Sequence, residues 1–288
     1  MLPASPKPHN RPMAMTPWQQ RIQRAEKLGA QHPYAAEILA FYAHVARFQE
    51  NLYERLRSGS AGVPPAVLLE TQSASRRLSG LQDDAATNTL LARFPEFLAL
   101  VEDNAPAPLA QAARELRASD PHSWPGLMTQ CWTHIDSPSD PQEFLVLAFL
   151  QPYAEFVRSE ANLPLEGYTS LLCPFCSRKP ALGILRPQGD GGRRSLLCGF
   201  CVTEWECRRI ICPGCGQEDH AKLPVYTAAE LPYIRVECCD ACKTYIKSID
   251  LTKHGLADPL VDELASVPLN LWAQERGYAK LHPNLLGM

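Results

Sequence analysis

Apolar positions in roughly the first 160 residues recur at helical spacing. After Thr16-Pro17, an N-cap followed by proline at the first helical position, Ile22, Ala25 and Leu28 fall on one face. Residues 36–56 place Ile38, Phe41, Tyr42, Val45, Phe48 and Leu52 on one broad stripe. Pro64-Pro65 opens a further candidate helix through Leu68, Leu69 and Leu78. Residues 87–101 carry Leu90, Leu91, Phe94, Phe97, Leu98 and Val101. Residues 106–116 and 142–158 give two more candidates, and 120–134 a fainter one with Pro121 and Pro125 near its start. The pattern predicts an all-α domain over 17–165, of about six or seven helices, whose stripes form its own core.

Beyond residue 166 the period shortens. Residues 181–185, 194–197, 203–211, 222–226, 234–237 and 244–249 mix β-branched and aromatic residues with polar ones and are predicted as strands. Gly189, Gly191 and Gly192 mark a turn between the first two. From Asp258-Pro259 helical character returns, with Gly277 as the stop and Pro268 kinking or splitting the helix. The predicted fold class is α+β. The N-terminal all-α helical domain is followed by two small rubredoxin- or zinc-ribbon-like β modules, over 166–210 and 211–255, and a C-terminal helical tail over 256–288. The first 16 residues are Pro-rich and predicted to be disordered.

Composition narrows the function classes. The 288 residues carry 28 Lys+Arg against 31 Asp+Glu, a net charge of -3. The split is -4 over residues 1–166 (14 basic, 18 acidic) and +1 over 167–288 (14 basic, 13 acidic). Neither half has the basic excess that a nucleic-acid partner requires. The start Met1-Leu-Pro-Ala-Ser-Pro-Lys-Pro lacks the basic-then-apolar pattern of a signal peptide. The apolar run 144–150 is too short for a membrane span, so no membrane insertion is expected. Arg76-Arg77 and Arg193-Arg194 are internal and do not read as export signals. The expectation is a cytoplasmic protein, whose reducing surroundings disfavour disulfides.

Ten of the eleven cysteines fall between Cys173 and Cys242. Eight form four Cys-x-x-Cys pairs: Cys173/Cys176, Cys198/Cys201, Cys212/Cys215 and Cys239/Cys242. Such a knuckle points two sulfurs at one place, and two knuckles complete a tetrathiolate site. Consecutive pairing leaves loops of 21 and 23 residues, suited to a β-hairpin, whereas interleaving leaves 35 and 37. The internal repeat favours the consecutive choice. Tetrahedral sulfur suits iron or zinc, and only iron cycles by one electron. Arg178, Lys179, Arg208 and Lys243 are cations near enough in sequence to moderate the thiolate charge. With separate cores, Cys173→Ser or Cys212→Ser is expected to disturb one knuckle and spare the helices.

Cys131 and Cys207 read as small buried residues, and Cys238 as a spectator beside the ligand Cys239. His220 and His254 read as solvated, as do Glu204 and Glu206 on their strand. No phosphate loop, His-Glu-x-x-His or Gly-x-Ser-x-Gly is present, so no catalytic set is assigned. Competing classes are a rubredoxin-like electron-transfer protein and a zinc-ribbon nucleic-acid binder.

The strings Cys-Pro-Phe-Cys from Cys173, Leu-Cys-Gly-Phe-Cys-Val-Thr-Glu-Trp from Leu197, Arg-Ile-Ile-Cys-Pro-Gly-Cys-Gly from Arg209, and Cys-Asp-Ala-Cys-Lys-Thr-Tyr-Ile-Lys from Cys239 resemble the formate dehydrogenase accessory protein FdhE family. Arg21 to Leu28, the segment from Pro33 to Gln49, and the tail from Asp262 to Tyr278 fit the same family. Cys207 and Cys238 are extra to its pattern. The resemblance covers residues ~20–288. It implies a cytosolic maturation factor, not an enzyme, that binds the catalytic subunit of formate dehydrogenase before twin-arginine export. It further implies iron in two mononuclear rubredoxin-like sites, with the eight paired cysteines as ligands and zinc as the alternative. It implies neither a partner surface nor an oligomeric state.

Overall fold

The computed structural model describes residues 15–59, 85–138, 140–189, 191–284 and 286–287. The helix expected through Leu68, Leu69 and Leu78 lies outside the described residues, as do Arg76-Arg77 and the Pro-rich start up to residue 14. Helices α1 (Pro17–Gln31), α2 (Ala36–Gly59), α3 (Ala85–Asn104), α4 (Ala107–Ala118), α5 (Trp124–Thr133) and α6 (Pro141–Glu160) make the N-terminal part. Thr16 caps α1 in a reciprocal capping box. Its hydroxyl accepts from the Gln19 amide, and its own amide donates to the Gln19 side chain, both at 3.1 Å. Pro121 and Pro125 do not prevent α5, because each sits in a first turn, where no backbone donor is needed. Phe48, Phe94 and Phe97 meet around Phe149 of α6, with ring centroids 4.8–6.3 Å apart.

Strands β1 (Leu182–Gln188), β2 (Gly191–Leu197) and β3 (Glu204–Glu206) form one antiparallel meander. β4 (Val225–Ala228), β5 (Leu231–Cys239) and β6 (Thr244–Asp250) form a second. The meanders are not two sheets. β1 pairs parallel with β6, Leu182 opposite Lys247 and Leu185 opposite Asp250, giving the order β3-β2-β1-β6-β5-β4. A short β7 (Ala279–Lys280) joins the same edge of β6 further along. The strand expected over 203–211 shrinks to Glu204–Glu206, and that expected over 222–226 begins only at Val225, after a 3-10 turn at His220–Lys222.

The tail forms α7 (Pro259–Ala265) and α8 (Val267–Glu275), split beside Pro268 as its missing amide dictates. Gly277, at φ 78°, ends α8, and the Tyr278 amide reaches back to the Ala273 carbonyl at 3.1 Å, closing a Schellman turn. The tail locks the seam between the meanders. Lys247, fully buried on β6, donates to the Glu263 carbonyl (2.7 Å) and the Ser266 hydroxyl (2.9 Å), and its ammonium lies 2.9 Å from the Glu263 carboxylate. Burial pushes the Lys247 ammonium down to about 8. Burial also opposes the Glu263 charge, but Lys247, Lys280 and Asn284 outweigh it and hold the carboxyl at about 2.

One sequence expectation fails here. The helical core is not separate from the knuckles. A single buried cluster runs from α1–α6 into Cys173, Phe175, Cys176, Cys198, Phe200, Cys201 and Trp205. A second cluster lies under β1, β5, β6 and α8. The period of an apolar stripe shows that a face is buried but not what buries it, and here the first knuckles cover part of the helical face.

Candidate metal centres

The consecutive pairs come together. The sulfurs of Cys173, Cys176, Cys198 and Cys201 lie within 4.8 Å of one another, and so do those of Cys212, Cys215, Cys239 and Cys242. In the first cluster Cys173–Cys201 and Cys176–Cys198 are 3.5 Å apart and Cys176–Cys201 3.7 Å, and in the second Cys212–Cys242 and Cys215–Cys239 are 3.7 Å apart. A tetrahedron with metal–sulfur bonds near 2.3 Å has an edge of about 3.8 Å, whereas a disulfide brings sulfurs to about 2 Å. The donor set and its spacing therefore fit a mononuclear tetrathiolate metal ion, and both clusters can hold one.

Each knuckle owes its shape to one backbone device. The residue after the second cysteine is left-handed in all four: Ser177 (φ 62°), Val202 (55°), Gly216 (76°) and Lys243 (55°). In three of them that residue donates its amide to the carbonyl of the first cysteine at 2.9 Å. The turn aims further amides at sulfur: Phe200 to Cys198 at 3.4 Å and Gly214 to Cys212 at 3.3 Å. Only Gly216 adopts this conformation without steric cost, and Val202 is β-branched. Strain of this kind persists where the surroundings over-determine it.

The two clusters share a hydrogen bond that spacing arguments overlooked. Thr203 Oγ1 lies 3.1 Å from Cys201 Sγ, and Thr244 Oγ1 lies 3.0 Å from Cys242 Sγ. The readable signal was the repeated Cys-x-x-Cys-x-Thr of 198–203 and 239–244. At Thr203 the hydroxyl accepts from Arg158 Nε of α6 at 3.2 Å, which leaves its own proton for the sulfur.

Their surroundings differ. In the first cluster no cysteine is more than 1% exposed. Phe175 and Phe200 anchor the knuckle tips in the helical core, and Phe200 meets Trp132 of α5 edge-on with centroids 5.6 Å apart. Arg178 donates to the carbonyls of Cys131 (2.7 Å), Trp132 (3.2 Å) and His134 (2.9 Å), capping the C-terminus of α5. Its guanidinium also stacks on Phe200 at 4.2 Å. Gln151 of α6 donates to the Gly199 carbonyl at 3.2 Å. Burial pushes the Cys173 and Cys201 thiols up. Burial acts on Cys176 too, but hydrogen bonds from its three partners and the Arg178 charge outweigh it and hold that thiol well below its ordinary range.

In the second cluster Cys212 and Cys239 are buried, Cys242 is half-buried and Cys215 is exposed. The positions of Phe175 and Phe200 are taken by Gly214 and Ala241, which are exposed. Burial raises Cys212 to about 12. Cys242 is held at about 7, because hydrogen bonds from Thr244, Cys215 and Cys239 outweigh burial. A cleft of about 260 Å³ borders Cys212 and Cys239 from the sheet side.

The remaining candidates fall outside both clusters. Cys131 is buried in the helical core. Cys238 is buried in the cluster under the sheet, because adjacent strand residues face opposite ways and Cys239 faces the other three sulfurs of its group. Cys207 departs from the buried reading. It is half-buried, and Arg194 Nη1 donates to its sulfur at 3.3 Å. His220 is exposed, while His254 is half-buried against Tyr233, ring centroids 4.8 Å apart. Glu204 is not merely solvated. It accepts from Arg186 (2.6 Å) and the Ser195 hydroxyl (2.6 Å). Among the cations considered, Arg178 alone is buried, with Arg208 pairing with Glu218 and Lys243 with Asp240 at the surface.

Comparison with known proteins follows the same layout. The family descriptions "FdhE, N-terminal", "FdhE, central domain" and "FdhE, C-terminal domain" match residues 6–155, 172–209 and 210–286. A "Protein FdhE homolog" of Aquifex aeolicus is 27% identical over 272 residues, covering 92% of this chain and 94% of that one. A "Protein FdhE homolog" of Pseudomonas putida is 26% identical over 280 residues, covering 92% and 86%. The crystal structure of the FdhE protein from Pseudomonas aeruginosa superposes with a TM-score of 0.68 at 25% identity, covering 93% of this chain and 95% of that one.

Proposed function

The chain belongs to the FdhE family, and from that premise we propose that it is a cytoplasmic maturation protein for formate dehydrogenase. In this reading it binds the catalytic subunit before export and performs no catalysis itself. Cys173, Cys176, Cys198 and Cys201 hold one metal ion, and Cys212, Cys215, Cys239 and Cys242 hold a second. Iron is the assignment we favour and zinc the alternative. The observation that carries the reading is the pair of preformed four-sulfur clusters, each with all its sulfurs within 4.8 Å of one another, set on one shared sheet.

A bound ion would supply a cross-link between the two knuckles of each site. The chain's own groups orient the sulfurs and offset their charge: amides of Phe200 and Gly214, hydroxyls of Thr203 and Thr244, and the guanidinium of Arg178. The buried charges elsewhere are committed to packing. Arg24 clasps Asp262 through two hydrogen bonds, and Arg21 clasps Glu155. Among the described residues no helix is long and apolar enough to cross a membrane.

The test uses protein purified without air. Elemental analysis should find about two ions per chain, and a visible band that bleaches on reduction would mark iron. The tagged chain should retain the formate dehydrogenase catalytic subunit from an extract. If it retains that subunit neither with its export signal nor without it, the maturation reading fails.

A further inference from the structure

Two sites of identical donors sit on one sheet, yet they meet solvent in different ways. Resting on the metal-binding reading above, we propose that the second site exchanges its ion while the first keeps it, and that Cys215 is the ligand that lets go. Three observations place the exchange there. Cys215 is exposed, whereas the first site offers no sulfur more than 1% exposed. Cys215 lies between Gly214 and Gly216, and Gly216 already sits at φ 76°, so this knuckle can open with little backbone cost. The corresponding turns of the first site carry Phe175 and Phe200, both buried in the helical core. Opening either turn there exposes a phenylalanine to water.

The outer shells reinforce the difference. Three side chains tie the first site to the helices: Arg178 donates to the end of α5, and Gln151 and Arg158 of α6 donate to Gly199 and Thr203. At the second site the outer contacts come from β6 and the tail instead: Thr244 belongs to β6, Lys243 pairs with Asp240, and Tyr278 donates to Asp240 at 2.8 Å. The step is a ligand substitution without change of oxidation state. An incoming thiolate forms a bond to the ion as the Cys215 sulfur leaves it, and the freed sulfur takes a proton from water. The incoming group is a small thiol or the cysteine side chain of a protein surface, since only an exposed edge admits it.

The experiment loads the full chain with zinc and challenges it with excess dithiol chelator, following released zinc by a chromogenic dye. Release should be biphasic, one equivalent leaving about tenfold or more faster than the other. Protein quenched with iodoacetamide after the fast phase should carry label on Cys212, Cys215, Cys239 and Cys242 and not on Cys173, Cys176, Cys198 or Cys201. Cys215→Ser should lose the fast equivalent and keep the slow one. Simultaneous release, or early label on Cys173 or Cys198, overturns the proposal. Protein that takes up no zinc or iron fails at the earlier step and overturns the metal-binding reading itself.

Discussion

The two sulfur clusters contrast a site made part of a core with a site made at a surface. Both use a pair of Cys-x-x-Cys turns, a left-handed residue after each turn and a threonine two residues past the last cysteine. The first is sealed by α5 and α6 through Phe175, Phe200, Arg178 and Arg158. The second is bounded by its own strands and by the tail, where Tyr278 donates to Asp240 at 2.8 Å, and leaves Cys215 exposed. Identical first neighbours around an ion therefore do not give identical sites. The second set of neighbours decides whether the ion acts as a structural rivet or stays within reach of solvent.

The strongest way to break this comparison is to remove one ligand from each site. Cys176→Ser should cost at least about 5 kcal/mol, lowering the helical melting transition by roughly 15 °C, because the first site is continuous with the helical core. Cys215→Ser should cost only about 1–2 kcal/mol, since Cys215 is exposed and its knuckle lies outside the helical core. Far-ultraviolet circular dichroism on heating measures both, and equal shifts would undo the distinction. A smaller effect comes from Arg178→Met, which strands three carbonyls at the end of α5. About 3 kcal/mol should be lost in denaturant unfolding. Lys243→Met, beside the second site, should leave stability within experimental error because its ion pair is exposed. The smallest expected change is in metal affinity. Thr203→Val and Thr244→Val should each weaken binding at their own site by about tenfold. Thr203→Val should be the larger, since it also leaves Arg158 Nε without its acceptor. Competition with a chelator of known affinity ranks the two.

Much of the fold was legible. Thr16-Pro17 and Asp258-Pro259 both open helices, Gly277 closes one, and the stripes of α1–α4 and α6 match buried faces, because these signals act within one or two turns. Strand limits were less legible, since pairing partners and not local propensity fix where a short strand stops. Cys207 illustrates the same limit. Nothing in its neighbourhood in sequence announces Arg194, thirteen residues earlier on β2. The contrast of Phe175 and Phe200 with Gly214 and Ala241 was on view as Cys-Pro-Phe-Cys and Cys-Gly-Phe-Cys against Cys-Pro-Gly-Cys and Cys-Asp-Ala-Cys. Its meaning emerged only when the helices were seen to receive the two rings.

By itself the sequence determined which eight cysteines converge and in which pairs, because the knuckle spacing and the hairpin-length loops are local facts. It also set the order of a helical part, two β meanders and a helical tail. Tertiary structure alone decided that the meanders fuse through β1 and β6, and that one cluster lies inside the helical core while its twin faces water. Those outcomes depend on contacts between segments far apart in the chain, where burial of apolar side chains, not spacing, selects the neighbour.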